Sequence, residues 1–200
     1  MHHYFAIHKP LGFLSQFKNN SKRKKRLLQE LYDFPDGTMA VGRLDVKSEG
    51  LLLLTTDGKW SNELRSSKFE KVYLVEVDGI PTEISIEKIR QGLKISIEGK
   101  IHQTKPCKAE KIEKPQFDHI EDRKVRNENH GTSSWLRITL REGKFRQVRK
   151  MTAAVGHPTL RLIRVEFAGI SLSPLKKGEV RRLNNSELDL INEKINLRKT

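Results

Sequence analysis

Three short stretches of this chain carry the residue types that could do chemistry. The first is VGRLDVKSEGLLLLTTDG, residues 41–58. Here Arg43, Asp45, Lys47, Ser48 and Glu49 lie between two apolar runs that read as buried strands by length and composition. Gly42 and Gly50 bracket the polar residues, where glycine permits a sharp turn or a close approach. The arrangement presents a short carboxylate, Asp45, at the lip of a hydrophobic sheet. A bare G-x-x-D of this kind is most often an ordinary polar turn. The second stretch, KVYLVEV, places Lys71 and Tyr73 on an alternating strand, where a lone tyrosine usually serves cross-strand packing. The third, REGKFRQVRKM, holds five basic residues over positions 141–151, and a charge run is usually a solvated face.

The whole chain supplies a context for these groups. Its 200 residues carry 39 Lys and Arg against 25 Asp and Glu, a formal charge of +14, with pI near 9.9. Each neutralised phosphate releases counterions, so an excess of this size points to a polyanionic partner. A membrane is the competing polyanion. No basic amphipathic helix with a clean apolar face is visible, and no apolar run approaches 18 residues. Nucleic acid is therefore favoured over membrane. The single cysteine, Cys107, excludes an internal disulfide and a cysteine-based zinc site, and no helical H-x-x-x-H pair occurs. No metal site is expected. The N-terminus has no secretion-signal pattern, and a reducing cytoplasm is the expected compartment.

The elements that must position the three stretches follow from periodicity. Strands are expected at 4–7, 13–16, 39–41, 51–54, 72–78, 135–140 and 160–167. Short helices are expected around Leu27, Leu28 and Leu31 and over 60–66. Thr82 is a plausible N-cap for a helix within 81–93, and Val148, Met151 and Val155 give one face to a helix over 146–155. A terminal helix is expected over 186–196. A polar loop of about 114–134 is long enough to be functional or mobile. Strands separated by short helices indicate an α+β fold with a largely antiparallel sheet, flanked by helices. No repeat or linker divides the chain, so residues 1–200 are expected to form one domain. A basic run of Lys18, Lys22, Arg23, Lys24, Lys25 and Arg26 contains no acid and is either a solvated face or a phosphate contact.

Taken together, the three stretches resemble the signatures of RsuA-type pseudouridine synthases. GRLD followed by GLLLLTTDG is similar almost letter for letter to the family's first block, and the resemblance runs from Phe5 to about Leu183. It implies the pseudouridine synthase fold, two lobes around a catalytic cleft, with Asp45 as nucleophile and Tyr73 stacking on the target base. REGKFRQVRKM resembles the family's EGRxRQVRRM, with Lys144 and Lys150 standing where arginine is usual. The last arginine of RQVR, Arg149, is implied to pair with Asp45. An adjacent guanidinium favours the ionised carboxylate and fixes its orientation. From TLRLIRVEFAGISL, Leu162 is the implied pocket wall and Arg164 a structural or RNA contact. Arg43, Lys71, Lys144, Arg146 and Gln147 complete the implied RNA-binding set, with Lys22, Arg23, Lys24 and Lys25 from the basic run.

Most RsuA-type members carry an N-terminal S4 domain, and this chain begins at the catalytic block. The RluE-like members, which act on large-subunit (23S) ribosomal RNA, also lack it, and TSSWLRITLREG resembles that group. The expectation is a monomeric, cytoplasmic isomerase without cofactor or metal, acting on ribosomal RNA or the assembling large subunit. A non-catalytic RNA-binding or ribosome-assembly protein on the same fold is the alternative. Charge suits both readings; the joint presence of Asp45, Tyr73 and Arg149 favours the enzyme.

Overall fold

Leu51, Leu52, Leu53 and Leu54 have no exposed surface at all, and they pack alternately into two different hydrophobic clusters. A strand covered on both faces needs such an unbroken apolar run, because its side chains alternate sides. The computed structural model describes residues 1–18, 25–66, 69–116, 119–123, 125 and 131–196. The strands are β1 (Tyr4–Lys9), β2 (Met39–Ala40), β3 (Glu49–Thr55), β4 (Lys71–Asp78), β5 (Lys94–Ile97), β6 (Lys100–Gln103), β7 (Lys108–Ile112), β8 (Ser133–Leu140), β9 (Thr159–Phe167), β10 (Ile170–Ser171) and β11 (Val180–Arg182). The helices are α1 (Gly58–Arg65), α2 (Glu83–Gln91), α3 (Gln147–Ala154) and α4 (Asn185–Asn196).

Nine strands form one sheet, in the order β11-β1-β3-β9-β4-β8-β7 with β2 on β3 and β10 on β9; β5 and β6 form a separate hairpin. Among the described strands of this sheet, only the central pair, β3 and β9, is parallel. The α+β expectation and the mainly antiparallel sheet are both met. One face buries Leu52, Leu54, Tyr73 and Leu162 under α2, α3 and β5. The other buries Leu51, Leu53 and Ile163 under α1 and α4.

The register places the site. Lys9 pairs with Gly50, Gly50 with Arg164 and Arg164 with Tyr73, a single row across four strands. Gly50, at φ +107°, is required there, because a Cβ would lie 2.3 Å from the carbonyl oxygen of Arg164. One residue earlier, the buried Glu49 accepts from Arg161 Nε at 2.8 Å and lies 3.7 Å from Arg123. Breaking a buried pair strands a charge. Glu49→Ala should therefore lower stability by about 3–5 kcal/mol, and Glu49→Leu combined with Arg161→Met should recover most of it. Urea unfolding of the three proteins checks this, and equal losses in the single and double variants would contradict it.

Several expectations are corrected. Residues 13–16 form no strand, only an isolated bridge between Phe13 and Arg26, and the helix expected near Leu28 is one 3₁₀ turn, Leu28–Glu30. Backbone groups there are satisfied instead by Leu14 N–H to Arg26 and Leu28 N–H to Gln16. The hairpin β5–β6 and the edge strand β7 have too much lysine and too little alternation to stand out beforehand. The polar stretch ends sooner than expected, because Ser133 and Ser134 already pair with Asp78 and Val77. The expected Thr82 cap is present, its side chain accepting from Ser85 N–H at 3.2 Å.

Candidate active site

Asp45 sits on an irregular loop between β2 and β3, and that loop is fastened residue by residue. The hydroxyl of buried Ser15 donates to the carbonyl of Leu44 at 2.9 Å and accepts from the N–H of Leu44 at 3.0 Å. Gly12 N–H donates to Val46, and Ser48 N–H closes a turn on the carbonyl of Asp45. The segment that supplies Gly12 and Ser15 is itself tied by Lys9, whose buried amine donates to the carbonyls of Pro10 and Phe13. Burial pushes the Lys9 amine down to about 8, against the pull of Glu49 and Asp45. Leu44 anchors the loop in the same apolar cluster as Tyr73, Leu162, Val148 and Met151. The Asp45 side chain stays 24% exposed, enough to meet an incoming molecule.

Facing it, the chain enters α3 through Arg146, whose Nη1 lies 4.0 Å from Asp45 Oδ2. Arg146 has φ 52° and ψ 32°, a left-handed conformation that costs an L-residue roughly 1–2 kcal/mol. It also places a cation at a helix N-terminus, the wrong end for the macrodipole. Two local costs at one position mark it as set by something other than folding. Arg149, one turn on, donates from Nη1 to the carbonyl of Thr159 at 3.2 Å and from Nη2 to that of Lys47 at 2.5 Å. Burial, then the like charge of Arg146, hold its guanidinium below the ordinary value, while Asp45 opposes them.

Arg149 is thus brought beside Asp45 but is not its ion-pair partner; among the described residues the pairing expected of it falls to Arg146. The reason is that the turn at Val46–Lys47 interposes a carbonyl, which takes the Arg149 fork first. Tyr73 and Leu162 are buried in the sheet floor, consistent with a pocket wall. Lys71, expected as an RNA contact, and Arg164, expected as a structural or RNA contact, are both buried: Arg164 Nε donates to Leu51, the structural alternative, and the Lys71 amine donates to Phe69 and faces the Phe167 ring. Burial, then Arg164, push the Lys71 amine down to about 8. Gln147 is also buried, donating to Glu142 and accepting from Lys144 N–H, so it staples its loop shut. Arg43, Lys144 and Arg146 are on the surface as expected, as is Lys25, whereas Lys22, Arg23 and Lys24 lie outside the described residues. Sequence reasoning missed Ser15, whose role is visible only through its bonds to Leu44, 29 residues away, and Lys9, whose amine is buried against the carbonyls of Pro10 and Phe13. It also missed Phe145, an aromatic ring 56% exposed beside Arg146.

The family model for RNA pseudouridylate synthase matches residues 3–154, more than half of the chain and all three stretches up to α3. The chain belongs to that family. It is 38% identical over 177 residues to a ribosomal large subunit pseudouridine synthase E of Xanthomonas campestris, covering 88% of this chain and 92% of the relative. A synthase E of Vibrio parahaemolyticus is 41% identical over 175 residues, covering 86% and 70%. A synthase B of Bacillus subtilis is 34% identical, covering 92% and 69%. A crystal structure of a pseudouridylate synthase superimposes with a TM-score of 0.74 at 28% identity, over 96% of this chain and 74% of that one. The RluE-like assignment and the fold are therefore as the sequence resemblance implied, and the protein is an RNA pseudouridine synthase, an isomerase.

For this synthase the brace on Leu44 has a measurable consequence. Ser15→Ala leaves a buried N–H and a buried carbonyl without partners, a cost of about 1–3 kcal/mol. Thermal unfolding should show that loss, and Ser15→Thr, which keeps a hydroxyl, should recover most of it. Equal stability of the alanine variant and the parent would mean that the hydroxyl does not hold the loop.

Proposed function

We propose that this synthase isomerises one uridine of large-subunit ribosomal RNA, working as a monomer in the cytoplasm. The observation that carries the reading is the Asp45–Arg146 pair on a braced loop whose Leu44 packs in the same apolar cluster as Tyr73 and Leu162. The names of the relatives support the large-subunit target. The +14 charge supports an RNA partner, and among the described residues no helix is long and apolar enough to cross a membrane.

A stacked uridine hides its glycosidic bond, so the base must first leave its helix at a cost of a few kcal/mol. Tyr73 then offers a ring in place of the lost stacking, and Leu162 closes the apolar wall. The Asp45 carboxylate, kept in line by Arg146, drives cleavage of the N1–C1′ bond. The bonding pair leaves with N1; the freed base turns, C5 bonds to C1′, the C5 proton is lost to solvent and N1 takes one up, so the product is an isomer of the substrate. Arg149 holds the Lys47 carbonyl and so fixes the turn that presents Asp45. A non-catalytic binder would have no use for a partly exposed carboxylate among its cations, because that carboxylate repels phosphate.

Tritium release from 5-labelled uridine in large- and small-subunit ribosomal RNA transcripts tests the reading. Release is expected from the large-subunit transcript alone; release only from the small-subunit RNA would refute the target. Within the site, Tyr73→Phe should keep base stacking while Tyr73→Ala should lose it, roughly 1–3 kcal/mol of RNA affinity. If both variants bound and reacted alike, Tyr73 would be a packing residue only.

A further inference from the structure

A cavity of about 540 Å³ opens beside the Asp45 loop and shares its wall. Arg43 lines it two residues before Asp45, and Ser15, which clamps Leu44, lines it from below. Among the described residues, every charged one that lines it is a cation: Lys18, Arg43 and Arg65. Its apolar surface comes from Phe17, set edge-on against Phe34 at 5.3 Å, and from Met39, an unusually exposed methionine on β2. A second cavity, of about 580 Å³ over β7, β8, β4 and β9 beside Arg90 of α2, lacks this character, because Glu70, Glu110 and Glu166 line it together with Arg90, Lys108 and Arg137.

Building on the proposed reaction on RNA, we propose that this all-cationic cavity is a subsite for one unpaired nucleotide next to the target uridine. The chemistry is that of single-strand recognition: cations track the phosphates while an aromatic or thioether face accepts a base without reading its identity. Flipping the target separates it from its neighbours in the stack, so an adjacent base needs a surface to replace the lost contact. The cavity shares Gly42 and Arg43 with the loop that carries Asp45, so an occupant there adjoins the loop of the nucleophile. A subsite here also gives the loop brace a second use, since Ser15 fixes the cavity wall and the nucleophile together. An acidic peptide is the competing occupant that the charge would allow.

Binding of a fluorescent oligouridine and of large-subunit RNA transcript, each followed across 50–200 mM salt, tests the subsite. Lys18→Gln with Arg65→Gln should weaken both ligands and flatten log affinity against log salt by roughly 0.7 to 1.8 units, one to two phosphate contacts. Met39→Glu places a carboxylate in the cavity and should weaken both by at least about tenfold. All three substitutions are at the surface, and unchanged thermal unfolding of both variants confirms that the fold survives. Lys88→Gln with Lys111→Gln removes the same charge from exposed positions on α2 and the distant edge strand β7 and should leave the slope nearly as in the parent. Equal slopes for the cavity double variant and the parent, or an equal loss in the distant control, would overturn the proposal. So would unchanged oligouridine affinity combined with lost binding of a polyglutamate peptide. Failure of the large-subunit target would appear separately, as absent tritium release by the parent protein, while oligouridine would still report on the cavity.

Discussion

Asp45→Asn should lower isomerisation by at least about 10³-fold while RNA affinity stays within a few-fold. The side chains are nearly isosteric, so the loop held by Ser15, Gly12 and Arg149 has no reason to move. What disappears is the charged oxygen that faces Arg146. The amide is a far weaker nucleophile, and it also forfeits the attraction of the guanidinium. Tritium release reports the chemistry and filter binding the affinity. Turnover near that of the parent would remove Asp45 from the mechanism, whatever its surroundings look like.

The second large effect separates two arginines one turn apart. Arg146→Gly should lower the rate by about tenfold to a hundredfold, the worth of roughly 1.4–2.7 kcal/mol of charge interaction in the transition state. At the same time it should raise stability by roughly 0.5–1 kcal/mol, because glycine takes a left-handed conformation freely and a helix N-terminus repels a cation. Arg149→Ala should do the opposite to stability. It leaves the carbonyls of Lys47 and Thr159 unmet, costing about 1–3 kcal/mol, and it loosens the turn beside Asp45. Rates at saturating RNA, measured beside thermal unfolding, distinguish the two. A destabilised Arg146→Gly would show that the left-handed arginine serves the fold and not the site.

How much of this was visible in the chain depends on how local the cause was. β3 announces itself through its unbroken run of four leucines, β4 through its β-branched and aromatic residues, and α2 through its threonine cap. The three stretches that carry Asp45, Tyr73 and Arg149 could be read directly, and the family match covers them. Contacts that depend on distant partners could not. Ser15 is an ordinary serine until Leu44, 29 residues away, is laid against it. Lys71 is expected among the RNA contacts and Arg164 as a structural or RNA contact; the sheet buries both, which leaves Arg164 in its structural role. The choice between Arg146 and Arg149 turns on one carbonyl, that of Lys47, and no pattern of residue types encodes it. β7 and the β5–β6 hairpin were hidden for the converse reason: edge and hairpin strands are exposed, and exposure erases alternation.

The measurement that bears most directly on the central claim is a map of pseudouridines in the ribosomal RNA of cells lacking this protein, with and without its return. One pseudouridine should vanish from the large-subunit RNA, reappear on expression of the parent chain and stay absent with Asp45→Asn. An unchanged large-subunit map, or restoration of the missing pseudouridine by Asp45→Asn, would contradict the account.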